Sequence, residues 1–501
     1  MRNIRKFNSD LIMLSSLVLL GFYLRYLNLF FEDYWFDEMA TFWSADPNIS
    51  LSDTFSRIEF IKGTTPLFFL LLKYFSKFFQ YHPDTSRFFV LILGIAAIPI
   101  AFLVSRELKL KKSSVLFGFF ICTNIYLINY SQEVKVYVFL FLISFISIFL
   151  FLKLINEYKN TKKFYILSSC FFVVNILGFA THPFFLIIII SEISHCLFKI
   201  TLKKNYFIKI FFISIFSFVF SLLALYDYLS NLALYEVNHW VQSSDYLNIK
   251  FFSDFYFRLF FGSKIMGAIY FFTLILLVFA FRKKIFSSNY YMFFIFIIFF
   301  SYFVPILYGF IKVPVLANRY IIFVLIPIFT LISALIYELK NTRIKKFVIS
   351  ILVISTLSNL YLEFSNKNYH HKPETKKLLN SIASISDKEY SKNIFINKKG
   401  GVPTFFGYVV KLDEIEKNNF QMLDLNQLSS TENFWLICYI DICFMGICYK
   451  DLPNDFSADN FGEPYTSCPN LSTGITNEFK LKKVIKKNNP HHKVIGKYYV
   501  K

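Results

Sequence analysis

Eleven apolar runs, each long enough to cross a bilayer, decide what this chain can fold into. Crossing the hydrocarbon core takes about 20 helical residues. Runs of that size lie at roughly 11–30, 86–106, 113–130, 136–155, 163–181, 183–200, 206–226, 265–281, 289–309, 318–338 and 345–362. Backbone polar groups in lipid must be satisfied within their own segment, so each run reads as a helix. The 55% hydrophobic content and the 68 Phe among 501 residues fit a polytopic membrane protein and exclude an ordinary soluble domain. The first run is too long for a removed signal peptide and lacks a small-residue cleavage site, so it is expected to be retained.

The formal charge of +20 is distributed in a pattern. MRNIRK precedes the first run. SRELKLKK, NEYKNTKK, FKITLKKNYFIK, FRKK and LKNTRIKK follow the second, fourth, sixth, eighth and tenth. Every second connection is rich in Lys and Arg, which is the positive-inside pattern. It predicts a cytoplasmic N-terminus and, after an odd number of spans, an external C-terminus. Much of the positive charge is therefore a topology signal, and a nucleic-acid partner loses its main support. The long connections, 31–85, 227–264 and everything after about 363, fall outside.

The first external loop opens with YWFDEMATFW, two adjacent acids in an aromatic block. Further on, Ser50-Leu51-Ser52-Asp53 has the Ser-x-x-acid pattern of a helix start, and Leu51, Phe55, Ile58 and Ile61 follow at helical spacing. This predicts a short helix on the membrane surface. From Thr64, TTPLFFLLLKYF predicts a second apolar helix, too short for a confident span.

The chain resembles the GT-C membrane glycosyltransferases of the protein O-mannosyltransferase and aminoarabinose-transferase type, glycosyltransferase family 39 and relatives. Arg25 in the first span and Asp37-Glu38 after it match the family's opening. Thr64-Thr65-Pro66-Leu67 stands where the family has a His-Pro-Pro-Leu-like element, and Arg87 matches the Arg opening the second span. The family's Tyr-Ser-x-Glu-x-Arg-x-Tyr element appears as Tyr130-Ser131-Gln132-Glu133-Val134-Lys135-Val136-Tyr137. Thr181-His182 and Arg319-Tyr320 match later elements, so the likeness runs in order over roughly residues 10 to 360. Two departures matter. Thr64 replaces a His, and Lys135 keeps the charge of an Arg but loses its planar fork.

The resemblance implies an inverting transferase. It would move a sugar from a polyprenyl-phosphate donor to a lipid, glycan or protein acceptor at the outer face of the cytoplasmic membrane. A positioned carboxylate can take the acceptor's proton, typically worth about 10²–10⁴-fold, and fixed cations can hold the leaving phosphate. By position, Asp37, Glu38 and Glu133 are the candidate catalytic acids, and Lys62, Lys135, Arg258 and Arg319 the candidate phosphate contacts. Arg25, Arg87 and His182 are further candidates. No cofactor is fixed by the residues, although a divalent cation is compatible with this chemistry.

Plainer roles stand beside these. Asp37 and Glu38 also read as solvated loop acids. Arg25 either snorkels to headgroups or pairs with a loop acid, and Glu133 also fits a helix N-terminus. His182 reads as an interface residue or as a ligand or substrate contact. Arg319, Arg258 and Lys62 also read as lipid anchors, and Tyr34, Trp35 and Trp43 as an interfacial aromatic belt. Glu192, inside the sixth run, is assigned no role.

After residue 363 the composition changes. HHKPETKKLLNSIASI predicts a helix, and NIFIN, FWLICYI and VIGKYYVK predict strands. The expected architecture is an all-α polytopic membrane domain of GT-C type, 1–362, followed by a small mixed α/β extracytoplasmic domain, 363–501. Cys438, Cys443, Cys448 and Cys468 fall in that domain, where one or two disulfides are the default. Their spacing has no zinc signature. The absence of a Gly-rich phosphate loop favours a lipid-linked donor. The competing class is a secondary transporter or lipid flippase, which would place its charges near the midplane.

Overall fold

A computed structural model of the protein describes residues 2–61, 65–110, 113–224, 226, 243–365, 372, 374–386, 390–396, 418–423, 425–428, 430–441, 443–444, 447–448, 479–488 and 492–501. Among the described residues, eight helices are long and apolar enough to cross a membrane: Pro83–Glu107, Tyr137–Glu157, Thr161–Thr181, Pro183–Thr201, Phe207–Ala224, Tyr291–Ile311, Asn318–Glu338 and Thr342–Ser365. A ninth candidate is the pair Ile249–Phe261 and Lys264–Ala280, bent by 92°. Shorter apolar helices occupy Leu11–Tyr26 and Ser114–Thr123. These account for all eleven apolar runs, and the chain is a multi-pass membrane protein.

The helices up to the third run are α1 (Arg2–Tyr26), α2 (Phe36–Ser44), α3 (Leu51–Ile61), α4 (Leu67–Phe78), α5 (Pro83–Glu107), α6 (Ser114–Thr123) and α7 (Ile125–Tyr130). Two of the apolar runs depart from plain spans for local reasons. The first helix, α1, stops short of residue 30, and Asn28 just beyond it adopts a left-handed φ of 65°, a common helix exit. The run 113–130 breaks into α6 and α7 at Asn124. Asn124 is extended at ψ 120°. Its side chain accepts from Leu127 N at 3.0 Å and donates to Phe260 O at 2.8 Å. An Asn satisfied this way favours a new N-cap over a continuous helix.

The chain divides into two compact units. The first comprises Met1–Leu27, Ile58–Leu71 and Phe88–Asn366. Its most enclosed spans are Tyr137–Glu157 and Asn318–Glu338, with 78% and 83% of their apolar windows buried, so these two form its centre. Inside this unit a polar group sits among the spans. Glu192 accepts from Ser147 Oγ and Asn175 Nδ2, each at 2.9 Å.

The second unit comprises Asn28–Arg57, Leu72–Arg87 and Lys367–Lys501. It contains α2, where the acidic block forms a helix of its own. It also contains the start of α3, where Asp53 N donates to Ser50 Oγ at 3.0 Å as the Ser-x-x-acid pattern requires. Its strands are β1 (Asn393–Ile396), β2 (Gln421–Met422), β3 (Asn433–Asp441), β4 (Cys443–Phe444), β5 (Ile447–Cys448), β6 (Lys480–Asn488) and β7 (His492–Val500). Five of them make a mixed sheet of order β2-β1-β3-β7-β6. β1 runs parallel to β2 and β3, while β3, β7 and β6 are antiparallel. The other two, β4 and β5, form a ribbon that sets Cys443 opposite Cys448 along the backbone.

Strand alternation gives the five-stranded sheet two buried faces. Phe395, Phe434, Leu436 and Ile495 fill one core. On the other face the helix Thr375–Ser386 buries Leu378 and Ile382, and a Cβ at Gly496 would meet Ile382 at 2.9 Å. Cys468 and the side chains of Cys438, Cys443 and Cys448 lie outside the described residues, as do His370, His371 and Thr64.

Candidate active site

In the second unit, Asp37 and Glu38 occupy the first turn of α2, where unpaired backbone N–H groups favour negative charge. The two acids then diverge. Asp37 is half-buried. Glu38 is fully buried. Its Oε2 accepts from Lys372 Nζ at 2.7 Å and lies 3.5 Å from Arg87 Nη2. Trp35 N also points to it, at 3.4 Å.

Arg87 is buried and holds the chain entering α2. It donates to Leu29 O at 3.2 Å, Asp33 O at 3.1 Å and Glu32 O, and lies over the Tyr34 ring at 4.7 Å. Tyr34 donates to Pro83 O at 2.7 Å. Burial holds its phenol well above its usual range, with Arg87 pulling the other way. Asp33 Oδ2 accepts from Lys376 N at 2.7 Å and so caps the first turn of the helix Thr375–Ser386 from a distant stretch of chain. Asp33 and Lys372 are absent from the sequence-derived candidates. The sequence signals them only by local charge, an acid near the Asp-Glu pair and a Lys before a helix start.

In the first unit, the Tyr130–Tyr137 element is anchored by Arg25. The break at Asn124 leaves carbonyls at the end of α6 without helical donors. Arg25 supplies them, donating to Cys122 O and Ile121 O at 3.0 Å each, and through Nε to Ser131 Oγ at 3.1 Å. Gln132 Nε2 in turn donates to Arg25 O at 2.8 Å and Leu27 O at 2.7 Å. Arg25 is 1% exposed, so it does not snorkel, and among the described residues its side-chain partners are carbonyls and a hydroxyl rather than a loop acid. It builds the turn. The fit is close, since a Cβ at Gly94 would stand 2.0 Å from Ser131 Oγ. Past this turn, Glu133 is half-buried and Lys135 is buried.

Arg319 and His182 come together with the end of that element. The Arg319 guanidinium lies 5.7 Å from the Tyr137 ring centre and 5.5 Å from that of Tyr320. The His182 ring lies 5.0 Å from Tyr320 and 6.2 Å from Tyr137. Burial, reinforced by the neighbouring Arg319, pushes the His182 imidazole down to about 3. His182 is therefore neutral at ordinary pH. Arg319 thus brings a positive charge to three mutually packed rings, Tyr137, Tyr320 and His182. In the sequence Tyr137 and Tyr320 figure only as parts of motifs, and it is their packing that brings them together.

Arg258 is exposed, with Glu363 as its electrostatic neighbour. Lys62 lies outside the described residues. Among the described residues no group of three or more His, Cys, Asp or Glu is arranged to hold a metal ion.

No protein-family model and no curated protein matches the chain. Solved structures do resemble it. ArnT from Cupriavidus metallidurans, in a crystal structure bound to undecaprenyl phosphate, superposes with a TM-score of 0.50 at 10% identity over 97% of both chains. The apo oligosaccharyltransferase of Archaeoglobus fulgidus gives a TM-score of 0.50 at 10% identity over 82% of this chain. The chain spans 64% of that archaeal enzyme, under two thirds of its length. At these identities the likeness establishes the fold. The architecture is GT-C, a multi-pass helical bundle with a small mixed C-terminal sheet.

Proposed function

We propose that this chain is an inverting glycosyltransferase that moves a sugar from a polyprenyl-phosphate carrier to an acceptor hydroxyl at the outer membrane face. The observation that carries this reading is the cation Arg319, which approaches the packed rings of Tyr137 and Tyr320, against which His182 also packs. The fold supports it, because a structure matching over 97% of both chains was solved with undecaprenyl phosphate bound.

In this mechanism the acceptor oxygen attacks the anomeric carbon as the bond to the phosphate oxygen breaks, inverting configuration. By its place in the family order, Asp37 is the candidate to take the acceptor's proton. Arg319 and Lys135 hold the charge that develops on the leaving phosphate. Glu38 is committed to Lys372 and Arg87 and serves by fixing α2. The alternation of Lys and Arg between connections supports a cytoplasmic N-terminus and an external second unit.

A flippase or transporter has one observation in its favour, the buried Glu192 with Ser147 and Asn175. Sealed vesicles carrying the purified chain separate the two. With a polyprenyl-phosphate sugar on one face and acceptor present, a transferase releases free polyprenyl phosphate and forms glycosylated acceptor. Movement of the intact donor lipid without cleavage would refute the transferase and support transport.

A further inference from the structure

His182-Pro183 repeats a local device found at His82-Pro83. In both, the His Nδ1 accepts a backbone N–H two residues on, from Phe184 and Asp84 respectively, at 3.2 Å. In both, Pro takes the first helical position. The imidazole thus stands in for an Asn or Asp N-cap, and Pro contributes a φ already suited to the helix. The two sites differ in surroundings. His82 is beside a carboxylate, Asp84 Oδ2 at 3.8 Å, whereas His182 packs against the Tyr137 and Tyr320 rings that the Arg319 guanidinium also approaches.

The cap has a chemical consequence. A neutral imidazole carries one N–H, and which nitrogen holds it is set by what the other nitrogen does. With Nδ1 accepting from Phe184 N, the proton belongs on Nε2. His182 therefore offers a donor at its outer edge and no lone pair. A metal ligand needs that lone pair, and a cation would also meet the charge of Arg319. An oxyanion is met by that N–H, with the charge of Arg319 in the same neighbourhood.

We propose that His182 donates a hydrogen bond through Nε2–H to a phosphate oxygen of the lipid-linked donor, alongside Arg319. This rests on the transferase reading above and adds a specific contact to it. Its competitors are a purely structural cap and a metal ligand.

Two substitutions separate the functions of the ring. In His182→Asn the amide carbonyl sits where Nδ1 was, so the cap is kept and the outer donor is lost. In His182→Gln the longer amide reaches the Nε2 position and restores an N–H there. The test is binding of undecaprenyl phosphate to the full chain in nanodiscs, with and without EDTA, with Arg319→Ala as a reference. A hydrogen bond to a charged group corresponds to roughly a 10- to 150-fold change in affinity. His182→Asn should weaken binding by about 10-fold or more at unchanged thermal stability. His182→Gln should stay within about 3-fold of the unsubstituted protein.

Equal binding by His182→Asn and the unsubstituted protein would overturn the proposal, as would Gln as weak as Asn, or loss of binding in EDTA. If His182→Gln fails to fold, the ¹⁵N spectrum of the labelled histidines in the unsubstituted protein decides. An Nε2–H resonance of His182 that shifts when undecaprenyl phosphate is added upholds the proposal, and a protonated Nδ1 or an Nε2–H unmoved by the lipid contradicts it. If the unsubstituted protein does not bind undecaprenyl phosphate at all, the transferase reading fails as well.

Discussion

Replacing Lys372 by Met removes a cation from a carboxylate with no access to water. Glu38 is 0% exposed, and Lys372 Nζ lies 2.7 Å from its Oε2. Arg87, a second cation on Glu38, is 3.5 Å away and also bonds backbone carbonyls. Breaking a buried pair by removing one partner costs about 3–5 kcal/mol. Because Arg87 stays, the lower end applies, about 3 kcal/mol. For a cooperative unit of 150–250 residues each kcal/mol shifts Tm by about 2–4 °C, so a fall of about 6–12 °C is expected. Three of the four Trp, Trp35, Trp43 and Trp435, lie in this unit, so intrinsic fluorescence on heating in detergent reports its melting. Glu38→Gln with Lys372→Met should be less destabilising than the sum of the single changes, since it removes both ends of the pair. A Lys372→Met Tm within 2 °C of the unsubstituted protein, or strict additivity in the double variant, would refute the account of Glu38 as a held carboxylate.

Three further expectations follow from the same geometry. Gly94→Ala pushes a methyl onto Ser131 Oγ at 2.0 Å, so it should lower both Tm and donor binding, while Gly→Ala at an unhindered helical site would stabilise. Lys135→Ala and Arg319→Ala should each weaken use of the lipid donor far more than they lower Tm, which titration of donor lipid in the transfer assay measures. His182 has a folded pKa of about 3 against an ordinary 6.5, so the unfolded chain takes up a proton that the native chain refuses as pH falls below 6.5. Relative to His182→Gln, the unsubstituted protein should therefore lose stability steadily from pH 7 to 5, as urea melts at matched pH would register.

The parts of the fold governed by repetition are legible in the sequence. The apolar runs and alternating basic connections find the spans because lipid imposes one length and one polarity on each. The helix Thr375–Ser386 and strands β1, β3 and β7 follow from ordinary periodicity. β6 escapes because its apolar Leu481, Val484 and Ile485 are spread among lysines and a bulge between Leu481 and Lys483 breaks the alternation. α2 escapes because its aromatics look like an interfacial belt before they look like a helix. At the site, family order draws attention to Arg25 but not to its work, since its partners include carbonyls exposed by a helix break about a hundred residues away. Asp33, Lys372, Tyr137 and Tyr320 depend on long-range packing of the same kind, which no local pattern encodes.

The central claim places the acceptor's proton on Asp37. Asp37→Asn keeps size and polarity and removes the basic oxygen, and the side chain is only half-buried, so folding should be little changed. The measurement is transfer of a labelled sugar from polyprenyl phosphate by the purified protein in membranes, compared at equal amounts of folded protein. Asp37→Asn should cut turnover by about 10²-fold or more while leaving undecaprenyl phosphate binding intact. Turnover within a few-fold of the unsubstituted protein would contradict the assignment of Asp37 as the base.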